Sequence, residues 1–350
     1  MRIINEPQLE YSDVLVLPKR STLTSRKEVS LEREFIFPHS GKTWVGVPII
    51  AANMLTGSFK MALKLASYGM LTTLHKHHNL ESLVEFWNNN QIIAQNNTFY
   101  TLGISSKDLQ KYNEFCKRTE KPNMVCIDAA SAHLEIFVNF LREFRINNKD
   151  TIIMAGNVAS GDMTEELILA GADIVKCGIS GGANCLTRRQ TGIGRPMLST
   201  VIETADSAHG LKGLVTADGG CVYPSDIFKA FCGGADFVML GTMLAGTDEC
   251  DGDMIEYNGT MHKEFFGMSS NTAMEKFYGG RENYKSSEGR TTLIPCKGSV
   301  SYIIEEILGS LRSGLSYIGA IKLKEASKRA TFIITSSQLN TSVQINTIGN

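Results

Sequence analysis

Eight short apolar runs recur between residues 47 and 241, and each leads through a polar or glycine-rich loop into an amphipathic segment. Apolar runs without polar alternation are typical of parallel strands that are buried on both faces. Eight such strands alternating with helices predict a closed (β/α)8 barrel, a TIM barrel. An open doubly wound sheet is the alternative, but the G-x-G-x-x-G motif expected after its first strand is absent. The predicted strands are 47–52, 71–74, 99–102, 124–128, 152–157, 174–178, 214–218 and 237–241.

Amphipathic patterns between and after these runs predict the outer helices of the barrel. The predicted helices are 59–67, 80–88, 107–118, 133–145, 163–170, 198–210 and 224–231, followed by 303–314 and 321–329. Residues 1–46 have no long periodicity, and we interpret them as an N-terminal cap of short strands and loops. We interpret the whole chain, 1–350, as a single catalytic barrel domain.

A long insertion follows the eighth predicted strand and spans about residues 247–296. Segments of this length inside a compact domain are usually functional lids, so we predict a lid over the barrel mouth. The polar tail, 335–350, is expected to be frayed.

Composition excludes several classes of partner. The 350 residues are 43% hydrophobic and carry a net charge of -1, which argues against nucleic acid or an anionic membrane. Apolar runs stay well below the ~20 residues that span a bilayer, and the N-terminus lacks a signal-peptide core. The eight cysteines are dispersed, so we expect a reducing cytoplasm rather than disulfides or structural zinc. The cluster of His75, His77 and His78 is not by itself expected to bind a metal.

One loop contains the strongest candidate for a nucleophile. After the predicted strand 174–178, a glycine-rich segment leads to Cys185, with Thr187, Arg188 and Arg189 just beyond. Cationic neighbours lower the pKa of a thiol and increase its thiolate fraction. A buried structural cysteine beside two surface arginines explains the same residues without chemistry.

Polar or glycine residues follow seven of the predicted strands. Any one of them could cap a helix or form a turn, but in such barrels the C-terminal strand ends share one rim and carry the active site. Glycines after the seventh and eighth strands lie where many barrels bind phosphate through backbone N–H groups. A phosphorylated small-molecule substrate near Cys185 is therefore predicted. The rim residues are Asn53, Lys76, Asp128, Asn157, Cys185, Asp218, Gly219, Gly220, Gly241 and Thr242.

The motif Gly-Ile-x-x-Gly-x-x-Cys-x-Thr-Arg, which begins at Gly178, resembles the IMP dehydrogenase/GMP reductase family. The likeness extends over nearly the whole chain and includes segments 51–54 and 217–220. Neither the extra regulatory domain nor the Arg-Tyr flap of IMP dehydrogenases is found. The segments that point to the GMP reductase branch are 75–77, 126–129, 155–158, 267–270, 287–289 and 309–313.

This resemblance implies NADPH-dependent reductive deamination of GMP to IMP and ammonia through a covalent thioimidate on Cys185. Thr187 and Glu288 correspond to the pair that manages protons on the departing ammonia, and Lys76 completes the implied catalytic set. The implied substrate-binding residues are Asn157, Asp218, Gly219, Gly220, Gly241, Thr242, Gly267, Met268, Ser269, Lys285 and Gly289. The implied cofactor-binding residues are Lys76, Asp128, Ala129, Ala130, Ser313, Gly314, Leu315 and Ser316.

The resemblance also implies a monovalent cation, K⁺, and a homotetramer. The implied cation-binding residues are Ser180, Gly182, Cys185 and Arg188. The chain departs from the family pattern at Ala183, where relatives carry a phosphate-binding serine, and at Thr242, where they carry glycine. We hypothesise that Thr242 replaces the missing donor. Three alternatives to the reductase stay open: a nucleotide-binding protein without turnover, an IMP dehydrogenase-like oxidation, and an unrelated phosphate-binding barrel such as a flavin enzyme.

Overall fold

Three short strands precede the main sheet in the computed structural model, which describes residues 3–280 and 286–336. They are β1 (Val14–Val16), β2 (Arg33–Ile36) and β3 (Thr43–Gly46). β2 and β3 form an antiparallel hairpin whose Phe35 and Trp44 rings lie 4.4 and 5.8 Å from the Phe237 ring. Because Phe237 begins the last barrel strand, this hairpin closes the N-terminal end of the barrel interior.

Eight parallel strands then form the closed barrel. They are β4 (Ile49–Ala51), β5 (Leu71–Thr73), β6 (Thr98–Leu102), β7 (Met124–Asp128), β8 (Ile152–Val158), β9 (Ile174–Cys177), β10 (Leu214–Asp218) and β11 (Phe237–Leu240). β11 pairs with β4 and β9 pairs with β10, so the sheet closes on itself. The predicted barrel is confirmed and the open sheet is wrong. Every predicted strand overlaps an observed one, and 124–128 and 214–218 match to the residue.

Side chains fill the barrel interior. An apolar layer that includes Phe99, Met154 and Phe237 is almost completely buried, and each such side chain contributes about 1.5–3 kcal/mol on burial. Outward-facing side chains such as Val125 and Ile153 are equally buried beneath the helices. Burial on both faces is the reason that these strands lack polar alternation.

Helices cover the outside of the barrel. They are α1 (Phe59–Ala66), α2 (Leu80–Asn89), α3 (Gln91–Asn97), α4 (Ser106–Arg118), α5 (Glu135–Asn147) and α6 (Gly161–Leu169), then α8 (Met197–Gly210) and α9 (Pro224–Cys232), whereas the short helix α7 (Thr187–Thr191) lies in the loop after β9 at the C-terminal rim. Small polar caps begin several of them, because the first N–H groups of a helix need acceptors. Ser58 accepts from the Met61 amide, Asn79 from Ser82 and Ser105 from Asp108.

After β11, the insertion folds into a small antiparallel sheet with one helix. Its elements are β12 (Met254–Tyr257), β13 (Thr260–Phe266), α10 (Asn271–Tyr278) and β14 (Thr291–Pro295). The chain then forms α11 (Val300–Tyr317), α12 (Ala326–Arg329) and β15 (Phe332–Ile334), and β15 pairs with β1.

The helix predicted over 321–329 is confirmed in its second half and wrong at its start. Residues 321–323 run beside Ser30, whose amide donates to Ile321 and whose carbonyl accepts from Leu323. This tether keeps the chain extended, so that a 3₁₀ turn (Leu323–Glu325) precedes the single α-helical turn of α12. Beyond residue 336, the predicted frayed tail lies outside the described residues. In the described parts of the chain, every helix is too short or too polar to cross a membrane.

Candidate active site

A cavity of about 660 Å³ opens at the C-terminal ends of the barrel strands and is lined in part by residues of the insertion. That the insertion acts as a lid stays a prediction. All four predicted catalytic residues line it. So does every predicted substrate-binding residue except Lys285, which lies outside the described residues. Loops from seven different barrel strands therefore bring together residues that are up to 237 positions apart, from Ala52 to Gly289. The rule that barrel chemistry lies at this rim explains why the sequence could predict the convergence.

Close backbone packing shapes the loop that carries Cys185. Gly178 has a φ of 135°, and a Cβ there would lie 2.1 Å from the Asp218 carbonyl oxygen. Only glycine is compatible with this contact, and it turns the chain from β9 into the loop. The Cys185 amide then donates to the Gly182 carbonyl at 3.0 Å, which fixes the thiol at the cavity wall.

The insertion is hydrogen-bonded along this nucleophile loop. The Leu186 amide donates to the Glu288 carbonyl at 2.6 Å, and the Arg290 amide donates to the Asn184 carbonyl at 3.0 Å. A Cβ on Gly289 would lie 2.8 Å from the Ser270 amide nitrogen, so the close approach of these segments requires glycine. Backbone pairing thus positions the Glu288 carboxylate beside α7.

Three side chains form a continuous hydrogen-bonded relay. The Cys185 thiol donates to Thr187 Oγ1 at 3.2 Å, and the Thr187 hydroxyl donates to Glu288 Oε2 at 2.6 Å. Thr187 is the first residue of α7, which points its hydroxyl back toward the loop. A proton can therefore pass from the thiol to the carboxylate through one hydroxyl, which generates a thiolate and a carboxylic acid.

Arg188 forms an ion pair with the N-terminal segment. Its Nη2 donates to Glu10 Oε1 at 2.9 Å, and its Nε donates to Ser180 Oγ at 3.4 Å. The guanidinium thus links the N-terminal segment to the nucleophile loop, and its charge is paired with a carboxylate. In this arrangement the thiol's direct partner is Thr187.

Charged and amide side chains form the cavity floor. Asn157 Nδ2 donates to Asp218 Oδ2 at 2.8 Å and to the Gly178 carbonyl at 2.9 Å. Burial alone would raise the pKa of Asp128, but the positive charges of Lys176 and Lys76 outweigh it and the pKa lies below its usual range. Burial lowers the pKa of Lys76, whereas Asp128 and Tyr278 raise it, and the net shift is upward. Asp128 and Lys76 thus stabilise each other in their charged forms.

Glycines form one corner of the cavity. Gly219 and Gly220 have φ values of 107° and 79°, in the left-handed region that favours glycine. The Gly220 amide donates to the Gly181 carbonyl at 2.8 Å, so the loop after β10 lies directly against the nucleophile loop. Thr242 and Ala183 line the same cavity.

Four predicted cofactor-binding residues lie elsewhere in the described chain. Ser313, Gly314, Leu315 and Ser316 are on α11, which packs against α9. A Cβ on Gly314 would lie 3.0 Å from the Phe228 ring, and Leu315 is fully buried. The assignment of these four residues to the cofactor stays a prediction, and it requires that a second subunit contribute them to the cavity.

Lys176, His77 and Tyr278 are among the cavity-lining residues that sequence reasoning did not assign to the site. Lys176 gives a visible signal, because it is the only charged residue in the apolar strand β9. His77 stacks on Phe277 of α10 with the ring centroids 3.9 Å apart, and the Tyr278 ring meets it edge-on at 5.4 Å. These contacts join α10 to the loop that carries Lys76, and their signal in the sequence is weak.

Sequence comparisons identify a matching family and similar proteins. Residues 8–343 match the sequence model of the IMP dehydrogenase / GMP reductase domain. The chain is 50% identical over 341 residues to a GMP reductase of Yersinia pestis (strain Pestoides F), and the alignment covers 97% of this chain and 98% of that protein. A GMP reductase of Yersinia pseudotuberculosis serotype O:1b (strain IP 31758) has the same identity and coverage. The region of similarity includes both the barrel and the insertion.

Proposed function

The chain belongs to the IMP dehydrogenase/GMP reductase family, and on this basis we propose that it is a GMP reductase. It is an oxidoreductase that converts GMP, NADPH and two protons to IMP, ammonium and NADP⁺. The observation that carries the proposal is the relay from Cys185 through Thr187 to Glu288, with heavy-atom distances of 3.2 and 2.6 Å. Such a relay suits a reaction that needs a thiolate nucleophile first and a proton donor next.

The first chemical step is attack of Cys185 Sγ on C2 of the purine. As the S–C bond forms, the thiol proton moves through Thr187 to the Glu288 carboxylate. The C2–N bond then breaks, and the protonated carboxyl supplies the proton that allows ammonia to leave. A poor amine leaving group needs this proton, which explains why an acid–base group stands next to the nucleophile. The product of the step is a thioimidate between Cys185 and the purine.

When bound, NADPH supplies the hydride that C2 of the thioimidate accepts, and the C–S bond breaks to release IMP. The protein's part is to leave space beside the thioimidate and to orient the nicotinamide. Lys76 and Asp128 line the cavity with opposite charges, and the small side chains of Ala129 and Ala130 lie next to Asp128. These residues fit a flat ring with a carboxamide, which offers both a hydrogen-bond donor and an acceptor.

The nucleotide's polar groups match the rest of the cavity. The Asp218 carboxylate, held by Asn157, fits the ribose hydroxyls as an acceptor. The glycine corner leaves room for the 5′-phosphate, since an anion can approach the backbone closely only where there is no Cβ. Gly267, Met268 and Ser269 of the insertion line the cavity beside Glu288, and we assign them to the purine.

A monovalent cation fits the nucleophile loop. Ser180 has a φ of 67°, and a Cβ on Gly182 would meet only Cys185, at 3.6 Å or beyond, so the loop backbone is open to a ligand. Carbonyl oxygens of Ser180, Gly182 and Cys185 would hold K⁺, with Arg188 closing the loop from the side. The cation would fix the loop that presents the thiol. We also propose a homotetramer, in which α11 of a neighbouring subunit would complete the cofactor site, and a cytoplasmic location.

One assay tests this function. We expect NADPH absorbance to fall when GMP is added, with release of one ammonium per NADPH, and to stay constant with AMP or IMP. NAD⁺ reduction with IMP would instead identify an IMP dehydrogenase, and tight GMP binding without turnover would identify a nucleotide-binding protein. A yellow purified protein would indicate the flavin alternative.

A further inference from the structure

Lys176 is a buried cation at the floor of the active-site cavity for which the proposed reaction has no use. Its residue exposure is 1%, and its Nζ lies 2.6 Å from Asp128 Oδ1, 3.5 Å from Asp218 Oδ2 and 3.4 Å from Asn53 Oδ1. Asp128 and Asn53 accept hydrogen bonds from the ammonium, and Asp218 forms an ion pair with it, so its three partners come from three other strands or strand ends. The neighbouring residues of β9, Val175 and Cys177, are apolar and fully buried.

The backbone of β8 makes room for this side chain. Gly156 lies between Asp128 and Lys176 in the register, paired with Asp128 on β7 and with Lys176 on β9. A Cβ on Gly156 would lie 2.5 Å from the Lys176 Cβ. The absence of a side chain at this position is what allows the ammonium to reach the carboxylate across an intervening strand.

Burial of an ammonium group costs several kcal/mol and persists only where partners offset it. Burial lowers the pKa of Lys176, but Asp128 and Asp218 raise it more, and the net shift is strongly upward. The Cys126 thiol also faces the ammonium, and Lys76 faces Asp128 from the loop after β5. Asp128 therefore lies between two lysines, and only one of them, Lys176, is fixed within the barrel.

We propose that Lys176 is a positioning residue that keeps Asp128 ionised and anchors both Asp128 and Asp218, so that the cofactor end and the ribose end of the site are held by one ammonium. The inference rests on the proposed GMP reductase activity for the roles of the two carboxylates. It adds a residue that acts through others and does not touch the reacting atoms.

The test replaces Lys176 by methionine, glutamine and arginine and measures turnover of GMP and NADPH from pH 5.5 to 9.5. In Lys176→Met, burial is no longer offset by the nearby ammonium, so the pKa of Asp128 should rise. As the pH is lowered, the variant should therefore lose activity at a higher pH than the parent does, and its activity should recover at alkaline pH. The KM for GMP should also rise, because Asp218 loses its anchor. Lys176→Arg should keep the parent profile. Lys176→Gln provides a second neutral variant with hydrogen-bond donors if the methionine variant does not fold.

Lys229→Met is the matched control, since Lys229 is 3% exposed on α9 and donates to the Tyr11 carbonyl away from the cavity. Its removal should leave the pH profile in place. Parallel profiles of parent, Lys176→Met and Lys176→Gln, with a uniform drop or none, would overturn the proposal.

A second readout needs no turnover, so it separates this inference from the proposed function. In Lys176→Met, the infrared carbonyl stretch of a protonated carboxylic acid should be present at a pH at which the parent lacks it, and Lys176→Met/Asp128→Asn should lack this band. A parent enzyme that fails to oxidise NADPH with GMP would refute the reductase. The infrared band would still decide the role of Lys176, and its absence from Lys176→Met would refute that role.

Discussion

Replacing Glu288 by glutamine tests the relay that carries the proposed mechanism. Glutamine keeps the size of the side chain, and its carbonyl oxygen can still accept the 2.6 Å hydrogen bond from Thr187. What it cannot do is hold the thiol proton and return it to the departing ammonia. We therefore expect ammonia release to slow by ~10²–10⁴, the range for one acid–base group, which corresponds to about 2.7–5.5 kcal/mol in activation free energy.

A single-turnover experiment with enzyme in excess resolves the two steps. Ammonia release and loss of NADPH absorbance are followed separately after mixing with GMP. In Glu288→Gln the first step should limit the rate, so that the two signals become coincident, with KM for GMP little changed. Thr187→Val should behave similarly because it breaks the relay at its centre. The double variant should be no slower than the slower single variant, since residues that act as a unit are not additive.

Glu256→Gln is the matched control, because Glu256 is an exposed glutamate of the same insertion, on β12. It should retain parent rates. Ammonia release in Glu288→Gln as fast as in the parent would refute the acid–base role. A double variant whose loss is the product of the two single losses would show that Thr187 and Glu288 act independently.

Three further changes have distinct outcomes. Cys185→Ala should abolish turnover while GMP still binds in calorimetry, and residual activity above a few per cent would refute the covalent step. Thr242→Gly should weaken GMP binding with kcat little changed, because it removes a hydroxyl at the proposed phosphate site. His78→Phe should change the pH dependence of the free energy of unfolding. Burial, and then the charge of His75, lowers the pKa of His78 in the folded protein to about 3, below its value in the unfolded chain. Stability is thus intact above the unfolded pKa and falls by ~1.4 kcal/mol per pH unit as pH drops toward 3. In urea unfolding from pH 6 to 4, the free energy of unfolding of the variant should lack this dependence on pH. An unchanged dependence would contradict the assignment of this pH effect to His78.

The barrel could be predicted because one pattern repeats eight times and each strand is buried on both faces. Amphipathic patterns also predicted most helices, and in the structure Ser58 and Asn79 cap the starts of two of them. Over 321–329 the apolar pattern was helical, but the observed conformation depends on hydrogen bonds to Ser30, almost 300 residues away. A pattern within nine residues carries no information about such a tether.

The active site also has parts that the sequence could predict and parts that it could not. Cys185, Thr187 and Glu288 could be predicted from strand ends and a motif, although the pairing that joins Glu288 to α7 could not. Arg188 illustrates the limit, because its carboxylate partner, Glu10, precedes it by 178 residues. Contacts across the barrel lumen, such as that between Lys176 and Asn53, depend on the register of opposite strands, which no local pattern determines.

Thr242 departs from the family pattern, and the geometry of the cavity suggests what its hydroxyl does. The Gly220 amide already donates to Gly181 at 2.8 Å, so it is not free to bind phosphate, and Ala183 supplies no hydroxyl. The Thr242 hydroxyl lies in the same cavity and would restore one hydrogen-bond donor. A hydrogen bond to a charged group contributes about 1.5–3 kcal/mol, which corresponds to roughly 10- to 150-fold in affinity. Because phosphate contacts are equal in ground and transition states, Thr242→Gly should raise the KM for GMP by that factor and spare kcat. Adding Ala183→Ser should recover most of the loss, whereas an unchanged KM in Thr242→Gly would mean that the threonine hydroxyl does not contact the phosphate.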